Sequence, residues 1–194
     1  MAYLLTMACG AVPALAAFGC LRSWRKRRLA EKGQISPALR EGAMALFWMF
    51  CGGMAAVTLT PRWVVWSLID CLHGYAWNVG GYPFFEWGTV SLMPFQTFGL
   101  SPRALYNLAG NIVLFMPFGF FRSLLWRGDT WKRALVTGLG ITGFIECWQL
   151  LVGRAFDIDD LLLNTLGVLC GFWLLWGLRR IAPEFCAACR CGDA

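Results

Sequence analysis

Five apolar runs, each long enough to cross a lipid bilayer, dominate this 194-residue chain. They cover approximately residues 2–21, 41–60, 107–125, 134–152 and 161–178. An α-helix rises 1.5 Å per residue, so about 20 residues span the hydrocarbon core, and a helix satisfies its own backbone groups there. A soluble domain of this length has no core large enough for such runs. Hydrophobic residues make up 58% of the sequence and charged residues 14%, against roughly 25% charged in soluble domains. Mean hydropathy is +0.57. The expected fold is all-α, an integral membrane bundle of about five transmembrane helices forming a single membrane domain over residues 1–194.

The connection between the second and third spans, residues 61–106, is long and rich in aromatics. Within it, RWVVWSLIDCL at 62–72 is apolar but too short to span, and aromatic residues favour the membrane interface. An interfacial or re-entrant aromatic segment is expected there. Gly80-Gly81-Tyr82-Pro83 and Pro94 break the remainder into turns. Pro117, in the middle of the third span, reads as a packing kink.

Net charge is +6, and its distribution is a topology signal more than a nucleic-acid signal. Arg22, Arg25, Lys26, Arg27, Arg28, Lys32 and Arg40 follow the first span. Arg122, Arg127, Lys132 and Arg133 follow the third, and Arg179, Arg180 and Arg190 follow the fifth. Only Arg62, Arg103 and Arg154 fall on the other side. By the positive-inside rule the N-terminus is expected outside, with the C-terminus and a short tail over 181–194 in the cytoplasm. The first run lacks a basic start, so cleavage as a signal peptide is not expected. Membrane lipids are the expected partners, with anionic headgroups near Arg22–Arg28; no nucleic acid is expected.

Nine cysteines show no framework spacing, and Cys9, Cys20, Cys51, Cys147 and Cys170 lie inside apolar runs, where cysteine acts as a small hydrophobe. No structural disulfide is expected. Cys186, Cys189 and Cys191 supply three thiols without a histidine to complete a metal tetrahedron, so this tail reads as reduced and flexible.

Function is most legible in GFIECWQLLVGRAFDIDDLLLNTLGVLCGF, residues 143–172. Glu146, Gln149, Arg154, Asp157, Asp159, Asp160 and Asn164 sit where the fourth helix leaves the bilayer and the fifth enters. Polar groups at that depth lose hydration and need partners. Glu146 is expected about 9 Å deep at 1.5 Å per residue, with Gln149 on the same face. Asn111 and Asn164 come from two other spans at similar depth, and Asn107 lies one turn before Asn111. Asp160, Asn164, Gly167 and Gly171 share one helix face, and Gly167-x3-Gly171 permits close helix approach. Asp157 and Asp159 suit helix N-terminal capping, whereas the face of Asp160 continues into Asn164. Arg154 reads either as an ion-pair partner of these acids or as a phosphate or carboxylate clamp. Glu146 and Asp160 are the candidate catalytic groups. The ligand-binding candidates are Asn107, Asn111, Glu146, Gln149, Arg154, Asp157, Asp160 and Asn164. No metal or cofactor is expected, and His73 reads as an interfacial polar tip.

SLMPFQTF at 91–98, NLAGNIVLFMPFGFF at 107–121 and IECWQLLVGRAFDIDDLLLNTLGVLCGF at 145–172 together resemble the VanZ-like family of small bacterial membrane proteins. The resemblance covers 91–172. Ser91 and Met93 depart from the family's Asn-Leu-Ile-Pro-Phe. The resemblance implies a multi-pass protein of the bacterial cytoplasmic (inner) membrane. It also implies a link to low-level resistance to the glycopeptide teicoplanin, an antibiotic-resistance phenotype of the family's named member. Two functions follow as expectations. One is a cell-envelope protein whose outward-facing polar pocket binds an envelope glycolipid, another envelope lipid or a glycopeptide. The alternative is a membrane enzyme that modifies an envelope lipid or polymer through paired carboxylates. Transport is disfavoured, because the inner halves of the spans offer no continuous polar path.

Overall fold

The computed structural model describes residues 2–76, 83–95, 102–126 and 128–193. Gly80, Gly81 and Tyr82 of the expected turn, Gln96–Phe98 of the SLMPFQTF segment and Arg127 lie outside the described residues.

Among the described residues, five helices are long and apolar enough to cross a membrane. They are α1 (Ala2–Ala30), α2 (Ala38–Leu59), α4 (Pro102–Leu125), α5 (Trp131–Leu151) and α6 (Ile158–Ile181). Between α2 and α4 lies α3 (Arg62–Leu72), whose eleven residues give only about 16 Å of helix. The architecture is therefore an all-α membrane bundle with a short apolar helix between its second and third spanning helices, as composition requires. Helix ends differ from the apolar runs. α1 continues to Ala30 and carries its basic cluster on a helical extension, and α4 begins at Pro102. Pro is well tolerated in a first helical turn, where its missing N–H would have no partner. α4 stays helical through Pro117.

Lipid tails are as apolar as leucine, so helix association depends on close packing more than on the hydrophobic effect. The α4–α6 pair is the most extensive in the bundle. A Cβ on Gly171 would lie 2.0 Å from the Met116 carbonyl oxygen, and one on Gly167 would lie 2.4 Å from that of Ile112. From the facing helix, a Cβ on Gly119 would meet the Val168 carbonyl oxygen at 2.0 Å. The Gly167-x3-Gly171 face thus meets α4, and Phe115, Val168 and Leu175 are buried in the resulting core. α1 and α2 approach similarly through Gly10 and Gly52. Outward, Val136, Phe144, Trp173 and Leu174 are exposed, as suits helices that face lipid.

The C-terminal tail does not run free. α7 (Pro183–Ala188) folds back, and Cys186 and Cys189 are buried in an apolar cluster with Leu124 and Leu175. Strand β4 (Gly192–Asp193) then pairs antiparallel with β1 (Gln34–Ile35) in the α1–α2 connection. The expectation of a flexible tail is corrected: Cys186 and Cys189 are apolar packing groups, which hydrophobic thiols can be.

At the other end, β2 (Val90–Ser91) pairs parallel with β3 (Phe156–Asp157), with Val90 opposite Phe156 and Ser91 opposite Asp157. Glu86 bridges to Val152. The segment 83–95 therefore lies along the α5–α6 connection and cannot be an independent loop.

Candidate functional site

The α5–α6 connection is held on both sides by backbone bonds. The Glu86 amide donates to the Leu151 carbonyl at 2.9 Å, the Gly88 amide to that of Leu150 at 2.8 Å, and the Phe156 amide to that of Thr89 at 2.8 Å. Gly88 has no room for a side chain, since a Cβ there would lie 1.7 Å from the Arg154 carbonyl oxygen. Gly153 turns the chain with φ of 73°, a region open to glycine at little cost. This framework sets where each acidic residue points.

Asp157 precedes α6 and caps it, its Oδ1 accepting the Asp159 amide at 2.9 Å. That is the N-terminal capping role expected of it. Asp159 does something else: its side chain is fully buried, and Oδ1 accepts the Phe95 amide at 2.7 Å. Phe95 has φ of 67°, an uncommon value for a bulky residue, and the bond to Asp159 helps hold it. Asp160 turns toward α4, where Asn111 Nδ2 donates to its Oδ1 at 2.5 Å. Three nearby acids on one helix start thus serve three different neighbours.

Glu146, on α5, is 1% exposed, and its Oε2 accepts the Asp157 amide at 3.1 Å. Asp157, Asp160 and Arg154 all lie within electrostatic reach of it. One turn further along, Gln149 is buried and Nε2 donates to the Thr58 carbonyl at 3.2 Å. Arg154 Nη1 donates to the carbonyls of Val57 and Thr58, each at 3.1 Å. Trp148 Nε1 donates to the Leu59 carbonyl at 2.8 Å. These three side chains donate to the last carbonyls of α2, which have no N–H donor within their own helix. Arg154 so used is a clasp on α2, a role that neither sequence reading contained.

Asn164 is buried on α6, and its Oδ1 has no hydrogen-bond partner. Just below it along α6, Thr165 Oγ1 lies 3.2 Å from Thr142 Oγ1 of α5, and both residues are buried. Asn107 is exposed on α4 and stands apart from the buried groups. Above the connection, the Phe85 ring lies 6.2 Å from Trp148, in an edge-to-face arrangement that aromatic pairs favour.

The arrangement therefore gathers Asn111, Glu146, Asp157 and Asp160 around the start of α6. It sends Gln149 and Arg154 to α2. Asp159, read from sequence as a helix cap, proves to be the most enclosed acid of the three. The roles of Thr58, Trp148 and the Phe95 amide carry no sequence signal, because each bond has a backbone group at one end. The D-x-D-D spacing was the one available hint for Asp159, since adjacent helical residues must face different neighbours. Among the described residues, no group of three or more His, Cys, Asp or Glu is placed to hold a metal ion.

A protein-family model described as VanZ/LLP1 matches residues 47–180. No curated protein and no solved structure matches the chain. The matched region runs from the middle of α2 to the last turn of α6 and contains every residue of the polar cluster. Since it takes in well over half of a chain that forms a five-helix membrane bundle, the protein belongs to the VanZ/LLP1 family.

Proposed function

We propose that the cluster around Glu146 is the working site of a cell-envelope protein and binds the polar part of an envelope lipid or a glycopeptide. The observation that carries this reading is the buried Asn164 Oδ1 without a partner on α6, the helix whose start also holds the backbone bond to the buried Glu146 carboxylate. A membrane anchor gains nothing from desolvated acceptors, each of which costs roughly 1–3 kcal/mol when unpaired. The free capacity of the cluster is mainly acceptor capacity, because Arg154, Gln149 and Trp148 donate to α2. A fitting ligand is accordingly rich in donors, such as sugar hydroxyls or an amine headgroup. The distribution of basic residues supports an outward orientation for this end of the bundle by the positive-inside rule, the side on which such ligands occur. A contribution to low-level teicoplanin resistance is part of the same proposal, through the lipid-bearing portion of the glycopeptide.

The test is a binding screen of envelope lipids and glycopeptides on the purified chain, with Glu146→Gln as control. Binding that falls at least tenfold in Glu146→Gln supports the reading, and equal binding by both proteins overturns it. A second reading is favoured by the electrostatic proximity of Glu146 and Asp160: the pair acts as base and acid in modifying an envelope lipid or polymer. Glu146→Gln and Asp160→Asn should then abolish turnover while ligand binding persists.

A further inference from the structure

At the opposite end of the bundle, the last turns of α1 and the first of α2 border an open-sided cavity of about 180 Å³. Space for one water needs about 10–15 Å³ on this scale, so a tetrahedral anion fits. Arg25, Arg28, Lys32 and Arg40 line it, against a single carboxylate, Glu41, with Met44 among its apolar walls.

That carboxylate is already engaged. Glu41 Oε1 accepts from Ser36 Oγ at 2.6 Å, and Oε2 accepts from Arg25 Nη2 at 2.9 Å. Arg22 Nε stands 3.7 Å from the same oxygen. Arg40 Nη1 donates to Ser36 Oγ at 3.1 Å. Two guanidinium nitrogens remain: Arg25 Nη1 and Arg40 Nε are both buried with no hydrogen-bond partner, and Arg40 is only 8% exposed. Arg25 is further fixed over the Phe18 ring at 3.9 Å, and Arg28 over Trp24 at 5.1 Å. Four cations converge on one cavity whose only acid is used up. The buried guanidinium of Arg40 in particular is costly without a compensating anion.

We infer that this cavity is a phosphate-binding site, taking a phosphate ester or phosphate ion between Arg25 and Arg40. Guanidinium groups suit phosphate oxygens because their N–H donors are rigidly planar and always charged. Two sources carry that chemistry. The headgroup of an anionic lipid reaches the cavity from the membrane, with its tails along the apolar flank. Soluble phosphate reaches it from the aqueous side. This site is separate from the Glu146 cluster and does not depend on its assignment.

Native mass spectrometry of the full chain, released from detergent with added lipid, tests the inference. Phosphatidylglycerol should be retained and diacylglycerol, which lacks phosphate, should not. Phosphatidylglycerol retained against excess inorganic phosphate assigns the lipid source; displacement by phosphate assigns the soluble one. Arg40→Gln should weaken retention about tenfold, as expected for loss of one charge-assisted bond. Because Arg40 is buried, the double variant Arg28→Gln/Lys32→Gln, at two exposed positions, provides a second reading and should also weaken retention. Arg133→Gln/Arg180→Gln removes exposed charge elsewhere at the same end and should leave retention unchanged. Unchanged retention in both cavity variants overturns the site. So does equal loss in the Arg133→Gln/Arg180→Gln control, which would mean diffuse surface attraction.

Discussion

The amide of Phe95 donates to the buried carboxylate of Asp159 at 2.7 Å, tying the segment before α4 to the first turn of α6. The two residues are 64 positions apart, and between them run the whole of α4 and α5. The bond closes the cover formed by 83–95 over the polar cluster, together with the β2–β3 pairing. Asp159→Ala removes the carboxylate acceptor of the Phe95 amide and should cost about 1–3 kcal/mol. Asp159→Asn retains an acceptor and should cost less. Hydrogen exchange of residues 86–95 reads the difference, with faster exchange in the alanine variant. Unaltered exchange there would show that the β2–β3 pairing alone holds the segment.

The α4–α6 crossing depends on residues without side chains. Gly171→Leu or Gly167→Leu places a side chain where backbone oxygens already lie within 2.4 Å of a Cβ position. Either should push the helices apart and strongly reduce the folded fraction recovered from membranes. A Cβ on Gly140 or Gly177 would meet nothing within 4 Å, so Gly140→Leu and Gly177→Leu should be tolerated. Size-exclusion profiles in detergent separate the two groups, and similar profiles for all four would refute the packing argument.

Trp148, Gln149 and Arg154 together hold the end of α2. Arg154→Ala removes donors to two carbonyls and should lower thermal stability in detergent by the equivalent of about 1–3 kcal/mol. Trp148→Phe keeps the ring but loses one bond, and should cost about 1 kcal/mol. If Arg154→Ala instead leaves the melting temperature unchanged while abolishing ligand binding, Arg154 contacts the ligand and its clasp on α2 is dispensable.

Tail docking should weaken in alkali. Burial pushes the Cys189 thiol above its ordinary value of 9.0, and neighbouring Cys186 adds to the effect. A thiol whose pKa rises on folding contributes stability that is present below the unfolded value and lost as pH climbs toward the folded one. Alkylation of Cys189 should therefore be slow near neutral pH, and should accelerate above about pH 9 by more than thiolate formation alone explains. Exposed Cys71 serves as the reference. Equal rates at both positions near neutral pH would contradict the docked tail. Cys189→Ser, which puts a hydroxyl into an apolar cluster, should undock the tail further.

Hydropathy alone determined the number of spanning helices, their approximate places and the presence of a short aromatic helix between the second and third. Those properties depend on local composition and length, which a bilayer reads directly. The small-residue face at Gly167 and Gly171 was legible for the same reason: helical spacing is local, and close approach needs the side chain to be missing. The polar stretch from Glu146 to Asn164 was legible as a stretch. Its internal assignments were decided by tertiary structure. Consecutive helical residues diverge by about 100°, so Asp159 and Asp160 must face different neighbours, and only the placement of α4 and of segment 83–95 determines which acid meets Asn111 and which meets Phe95. Arg154 and Gln149 find backbone carbonyls of α2, acceptors that every residue possesses and no sequence marks. Asn107 and Asn111 share a spacing, yet the packing of α4 leaves one exposed and brings the other to Asp160. The tail cysteines were open to several readings until α7 folded back onto Leu124 and Leu175, because burial of a small apolar group is a property of its surroundings.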